Sequence, residues 1–211
     1  MVYLDNAATT KYKPEEVYKA FDYYVREIGV SPGRGSYQLG IEASRMLYKT
    51  RRTVANYFGI DEPNVIFTKN STEAINMFFN GLLKNGDHVI ISCYEHNAVL
   101  RPLHTLKEKG IIDYSIISRG DLMLSPEEVY KKYVKSNTVL FATTLASNLT
   151  GRVIYNPSLI RYMKVNGINT FVDSSQGAGK IRLSMSDGEI DYIAFTGHKD
   201  LLGLPGVGGL V

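Results

Sequence analysis

The chain has 211 residues, 44% of them hydrophobic and 21% charged, which is the balance of an ordinary globular protein with length for one sizeable domain or two small ones. A net charge of +3 with no long basic run gives no support to nucleic-acid binding, and the single cysteine, Cys93, excludes an intramolecular disulfide framework and suits a reducing compartment. Asp5 and Asn6 interrupt any early signal-like run and no segment approaches transmembrane length, so the expectation is a cytoplasmic protein that engages neither membrane nor nucleic acid.

No repeat, low-complexity tract or Pro/Gly/Ser-rich linker divides the chain, and residues 1–211 are expected to form one domain. Residues 1–60 look helical and are assigned to that same domain, with candidate helices at 14–27 and 41–58 around the loop Ser31-Pro32-Gly33-Arg34-Gly35. Beyond residue 60, strand-like and helical segments alternate, the pattern of a mostly parallel sheet flanked by helices. Residues 64–68 read as a strand and 72–83 as a helix that stops near Gly86. The next strand is 88–92, a helix lies within 97–109, and 111–118 is strand-like again. Ser125-Pro126-Glu127-Glu128 carries three helix-start signals together: an N-cap serine, a proline in the first turn and a capping-box glutamate three residues on. Residues 138–145, 169–172 and 191–195 are apolar strand candidates, with a short helix near 158–165, and the glycine run 203–209 leads into a final strand.

The polar residues just beyond these strands carry the chemistry. In an open α/β sheet, ligands bind at the carboxyl ends of the strands. Lys199 follows the strand 191–195, and a lysine held there can form a Schiff base with a carbonyl compound, of which pyridoxal 5'-phosphate (PLP) is the commonest bound to protein. Asp173, after 169–172, would share that edge and could pair with a protonated pyridine nitrogen. Asn70-Ser71-Thr72-Glu73 lies between a strand and a helix, where amides and hydroxyls at the positive end of a helix dipole can hold a phosphate; a plain capping box would look the same. His96 could stack on a planar ring or move protons, and Asn148 and Gln176 could hydrogen-bond a ring hydroxyl. Thr196 and His198 could donate to a phosphate. Gly177-Ala178-Gly179-Lys180 lacks the length and the Ser/Thr of a P-loop, and four histidines with one cysteine show no zinc spacing.

Taken together, Tyr3-Leu4-Asp5-Asn6-Ala7-Ala8-Thr9-Thr10, the loop at Ser31, the Asn70 turn, Glu95-His96-Asn97, Ser147-Asn148-Leu149-Thr150-Gly151, Val172-Asp173-Ser174-Ser175-Gln176 and Thr196-Gly197-His198-Lys199 resemble the class V aminotransferase superfamily of PLP enzymes. The likeness is strongest to its cysteine desulfurase and selenocysteine lyase branch, in family order along the whole chain. It implies the α/β large domain of PLP fold type I, normally a homodimer, with Lys199 as the Schiff-base lysine and Asp173 as partner of the pyridine nitrogen. It further implies His96 on the ring, Ser71, Thr72, Thr196 and His198 at the phosphate, Asn148 and Gln176 near the ring hydroxyl and substrate, and Asn6, Ala7 and Thr9 at the substrate entrance. The implied reaction removes sulfur from L-cysteine, giving alanine and an enzyme persulfide that a sulfur-acceptor protein could unload. The alternatives are action on another amino acid, or PLP binding without turnover. The family continues into a small C-terminal domain that supplies the sulfur-accepting cysteine and a carboxylate-binding arginine, whereas this chain stops at Val211 and is expected to be C-terminally truncated. Cys93 does not match that nucleophile, and Tyr37 stands where the family often has histidine.

Overall fold

In the computed structural model, which describes residues 2–211, seven strands form one sheet between two layers of helix. The strands are β1 (Ile66–Thr68), β2 (Asp87–Ser92), β3 (Ile112–Ile117), β4 (Thr138–Thr144), β5 (Asn169–Asp173), β6 (Tyr192–Thr196) and β7 (Gly208–Leu210), in the order β1-β7-β6-β5-β4-β2-β3. β2, β3, β4, β5 and β6 pair in parallel, while β7 runs antiparallel to both neighbours. The mostly parallel sheet expected from the alternating pattern is therefore present, with the final strand inserted between β1 and β6.

Alternation along each strand makes two separate cores, because successive side chains leave a strand on opposite faces. Ile90, Phe141, Val172, Ile193 and Phe195 pack on one face with α2 (Gln38–Phe58), α5 (Pro126–Tyr133) and α6 (Pro157–Val165), through Ala55, Phe58, Val129, Leu159, Ile160 and Met163. Val89, Ile91, Leu140, Ala142, Phe171 and Ala194 pack on the other with α3 (Ser71–Leu82) and α4 (Asn97–Glu108), where Phe78 stacks on Phe171 at 4.7 Å. The start signals at Ser125 act as read: its side chain accepts from Glu128 N–H, and Glu128 reaches back to the Ser125 N–H. Two N-terminal boundaries differ from the pattern. α1 (Glu15–Tyr23) gives way to a π-helical turn at Tyr24–Ile28 that Gly29 ends in the left-handed conformation. Asn64 belongs to a 3-10 turn, Glu62–Asn64, because Pro63 and the following chain bend before β1 can pair.

The topology fixes where a ligand can sit. From β2 the chain crosses through α4 to β3 at the sheet edge, whereas from β4 it crosses through α6 on the other face to β5, in the opposite direction. The direction of winding therefore reverses between β2 and β4, and the crevice outside their carboxyl ends is the topological switch point where open α/β sheets hold ligands.

Candidate active site at the carboxyl ends of the strands

A cavity of about 300 Å³ opens at this edge, lined by residues from six separate segments of the chain. That volume is at the small end of ligand sites, about 300–1,000 Å³. Lys199, Asp173, His96, Ser71, Thr72, Asn148, Gln176, Thr196 and His198 all line it. At the entrance Ala8 joins the lining, Ala7 O accepts from Gln176 Nε2 at 2.7 Å, and Thr9 Oγ1 meets His198 Nδ1 at 2.9 Å. Asn6 is exposed and lies outside the lining. A larger cavity, about 420 Å³, opens between Phe141, Tyr155 and the arginines Arg119 and Arg152. It uses the Phe141 and Thr143 face of β4, opposite the face that carries Thr144 to the first cavity.

One pole of the site presents a helix N-terminus, which can accept an anion. Asn70 is the N-cap of α3: its Oδ1 accepts from Glu73 N–H at 2.8 Å, and Glu73 Oε2 accepts from Lys69 N–H at 2.6 Å. The Asn70 cap is thus real, although Glu73 reaches back to Lys69 N–H and not to the N-cap N–H of a true capping box; the cap consumes the Asn70 side-chain oxygen while leaving the N–H groups of Ser71 and Thr72 without a partner among the described residues. Those amides, at the positive end of a twelve-residue helix, face the cavity with their hydroxyls. Thr196 Oγ1, completely buried, has no hydrogen-bond partner among the described residues. Burying a hydroxyl unpaired costs about 1–3 kcal/mol, which a ligand oxygen would recover.

Gly208 explains how this pole is held. It lies opposite Thr68 of β1 and Thr196 of β6, and a Cβ there would come within 2.5 Å of Asn70 C and 2.7 Å of Phe195 O. The glycine run therefore lets the sheet close against the Asn70 turn. The loop between Lys199 and this run folds back on itself, with Gly203 N–H donating to Gly197 O at 2.7 Å and Leu202 at φ 60°. A non-glycine residue in that region costs roughly 1–2 kcal/mol, and such strain gathers at functional sites.

The other pole is acid and base. Asp173 is buried at the end of β5, where its Oδ1 accepts from both Ser175 N–H (2.9 Å) and Ser175 Oγ (2.5 Å); among the described residues nothing bonds Oδ2. Lys199 is partly buried in the next turn, and desolvation holds its amine below the usual lysine range against the opposing pull of Asp173 and Asp200. Desolvation, with Lys199 and Lys13 nearby, also lowers His198. Thr10 clamps the lysine turn from the N-terminal arm: its N–H donates to His198 O at 3.1 Å and its Oγ1 to Lys199 O at 2.9 Å. His96 caps α4 by accepting Ala98 N–H on Nδ1 at 3.1 Å, so its neutral ring carries the proton on Nε2. Cys93 is exposed and lines neither cavity; partial desolvation and Glu95 push its thiol above the ordinary value.

With that geometry in hand, comparison with known proteins is decisive at the level of family. The model of the family described as aminotransferase class-V matches residues 2–211. The chain belongs to the class-V aminotransferase family. It is 32% identical, over 99% of its length, to a probable cysteine desulfurase of Methanothermobacter thermautotrophicus, covering 52% of that protein. It is 30% identical to a probable cysteine desulfurase of Pyrococcus abyssi, covering 53% of it. The apo structure of a cysteine desulfurase from Thermococcus onnurineus superimposes with a TM-score of 0.89 at 29% identity, over 99% of this chain and 52% of that one. The chain thus spans about half the length of the curated relatives it matches. The fold is that of this family, as the resemblance implied; the alternating sequence pattern had pointed only to a mostly parallel sheet flanked by helices. Among the described residues no helix is long and apolar enough to cross a membrane.

Two residues with clear contacts at the site were not singled out by sequence reasoning. Ser175 orients Asp173, and the Asp-x-Ser spacing of an Asx turn was its available signal. Glu95, next to His96 in the chain, is buried, and no local pattern marks a glutamate that faces inward.

Proposed function

We propose that residues 1–211 form the PLP-binding large domain of a cysteine desulfurase-like enzyme. The observation that carries this is the convergence on one cavity of an amine with lowered basicity, a buried carboxylate with a free oxygen, an imidazole and a helix N-terminus. These fit the aldehyde, pyridine nitrogen, ring and phosphate of PLP respectively, and the unpaired Thr196 hydroxyl beside the α3 amides supports the phosphate placement. When bound, PLP supplies an electrophilic carbonyl and a ring that stores the electron pair released at a substrate's α-carbon.

The chain's own groups have complementary tasks. Lys199, its basicity lowered by desolvation, would attach the cofactor and then hold or return the α-proton on Nζ. Asp173 keeps a proton on the pyridine nitrogen, oriented by Ser175. His96 presents a ring of fixed tautomer, Ser71, Thr72, Thr196 and His198 hold the phosphate, and Asn148 and Gln176 serve the ring hydroxyl. Asn6, Ala7 and Thr9 border the entrance, where Gln176 and His198 already bond the N-terminal arm. The relatives' names support L-cysteine as substrate; alanine and a persulfide as products, a homodimer as the working state and a sulfur-acceptor protein downstream belong to the proposal through the family resemblance alone. The persulfide needs an accepting thiolate, and Cys93 lies outside the cavity. PLP binding without turnover is therefore the expected behaviour of this chain alone.

The test is a visible absorption spectrum with added PLP, repeated for Lys199→Ala and after borohydride reduction. We expect a visible band in the parent that reduction bleaches and fixes covalently, and that Lys199→Ala lacks. No band in the parent, or the same band in the alanine variant, overturns the assignment.

A further inference from the structure

Glu95 is a buried carboxyl at the switch point, and its contacts cross the gap between the two strands that define it. Oε1 accepts from Ser92 Oγ at the end of β2 and from Thr144 N–H at the end of β4, the latter at 2.8 Å. Ser92 Oγ in turn accepts from Tyr94 N–H at 3.2 Å, so the whole turn from Ser92 to Glu95 is knotted around this carboxyl. The β2–β4 ladder stops at Ile91 and Ala142. Beyond it β2 no longer pairs with β4, and Thr144 N–H finds its acceptor in the Glu95 side chain. Thr144 lies opposite Asp173 in the β4–β5 register, and Leu145 N–H donates to Asp173 O at 2.8 Å.

We propose that Glu95 is a positioning residue: its carboxyl ties the turn carrying His96 to the end of β4, and through β4 sets His96 against Asp173. The continuous path is His96, Glu95, Thr144, Asp173, each joined to the next by a peptide bond, a hydrogen bond or the strand ladder. The consequence for the ligand rests on the PLP reading above; the tether itself does not.

Its protonation state suits the task. The groups facing it are Ser92 from β2, Thr144 from β4 and Asp173 from β5, with Cys93 and His96 on its own turn, and no cation among the described residues pairs with it. Burial first, with Asp173 adding, pushes it up to about 8, so near neutrality the carboxyl is largely uncharged and its carbonyl oxygen serves as the acceptor. Glutamine presents the same oxygen.

The experiment compares the full chain with Glu95→Gln, Glu95→Ala and, should alanine not fold, Glu95→Asp, whose shorter side chain falls short of Thr144. Without cofactor, hydrogen exchange at the Thr144 amide should be slow in the parent, unchanged within threefold in Glu95→Gln and at least tenfold faster in Glu95→Ala or Asp, and the His96 Cε1–H resonance should shift or broaden only in the latter two. With PLP added, the circular dichroism of the visible band per bound cofactor should be kept by glutamine and reduced by half or more in alanine or aspartate. Rapid exchange at Thr144 in the parent, a His96 resonance unmoved in Glu95→Ala or Asp, or a glutamine variant as impaired as alanine overturns the proposal. If the parent shows no visible band, the PLP reading fails, while the two cofactor-free readouts still decide the tether.

Discussion

Gly208→Ala is the substitution whose effect the geometry predicts most directly. The added methyl would lie 2.5 Å from Asn70 C, 2.7 Å from Asn70 Cα and 2.7 Å from Phe195 O, where ordinary contact begins near 3.4 Å. All three obstacles are backbone, and β7 is hydrogen-bonded on both sides, so neither neighbour can give without losing ladder bonds to the other. Overpacking of this kind costs about 1–3 kcal/mol, which for a chain of this length lowers the melting temperature by roughly 2–12 °C. Since the strand must move away from the Asn70 turn, PLP affinity should fall along with stability. Gly81→Ala is the control: it is in α3, its Cβ would meet nothing within 4 Å, and φ is not positive there. Relieving the backbone entropy of a helical glycine gains about 0.5–1 kcal/mol, a rise of roughly 1–4 °C. Melting followed by far-ultraviolet circular dichroism measures both. A Gly208→Ala protein that melts within about 1 °C of the parent would refute the close approach of β7 to the Asn70 turn.

Phe79→Ala removes a fully buried ring packed near Phe78 and Phe171 on the α3–α4 face and should cost about 3–5 kcal/mol, read as a lowered urea midpoint with unchanged slope. Ser125→Ala deletes one half of the capping box of α5 and should cost about 1 kcal/mol while leaving PLP binding untouched, since α5 is remote from the cavity lining. Asp173→Asn keeps an oxygen for Ser175 but removes the charge facing Lys199; the lysine should become still less basic, and the pH at which the visible cofactor band titrates should fall.

How much of this was legible in the sequence depended on whether a signal was local. The Ser125 capping box, the apolar runs 138–145 and 169–172 and the polar residues after each strand are all local, and the structure has each in its expected element. Lys199, Asp173 and His96 could be placed on one edge because a parallel sheet sends every strand's carboxyl end the same way. The antiparallel entry of β7 was not legible: three residues, Gly208–Leu210, carry no periodicity, and the reason for two of them being glycine is the proximity of Asn70 and Ile66 from far earlier in the chain. Glu95 was opaque for the same cause. A charged residue beside a histidine reads as solvated until Thr144, from another strand, is shown to approach it.

Two buried titratable groups give the stability of this fold opposite pH slopes, and separating them tests both environments. His88, fully buried on β2, has Nδ1 on Thr138 Oγ1 (2.7 Å) and Nε2 on Ser115 Oγ (2.9 Å), and desolvation, with Lys135 adding, holds it below its ordinary value. The unfolded chain therefore takes up the proton first, near pH 6.5, and stability that is complete above that pH is lost as pH falls toward the folded value. Glu95 works the other way. Unfolded it ionises near pH 4.3, folded only at about 8, so between those values the native state holds the extra proton and stability declines as pH rises. Each contributes a slope of at most about 1.4 kcal/mol per pH unit. Glu95→Gln should flatten the decline between roughly pH 5 and 8 and leave the acid limb intact. His88→Asn, less stable at pH 7 for its lost packing, should flatten only the limb below pH 6.5. Urea midpoints measured across this range decide the matter: if the glutamine variant parallels the parent throughout, Glu95 is ionised in the native state, and the uncharged carboxyl bridging β2 and β4 is wrong.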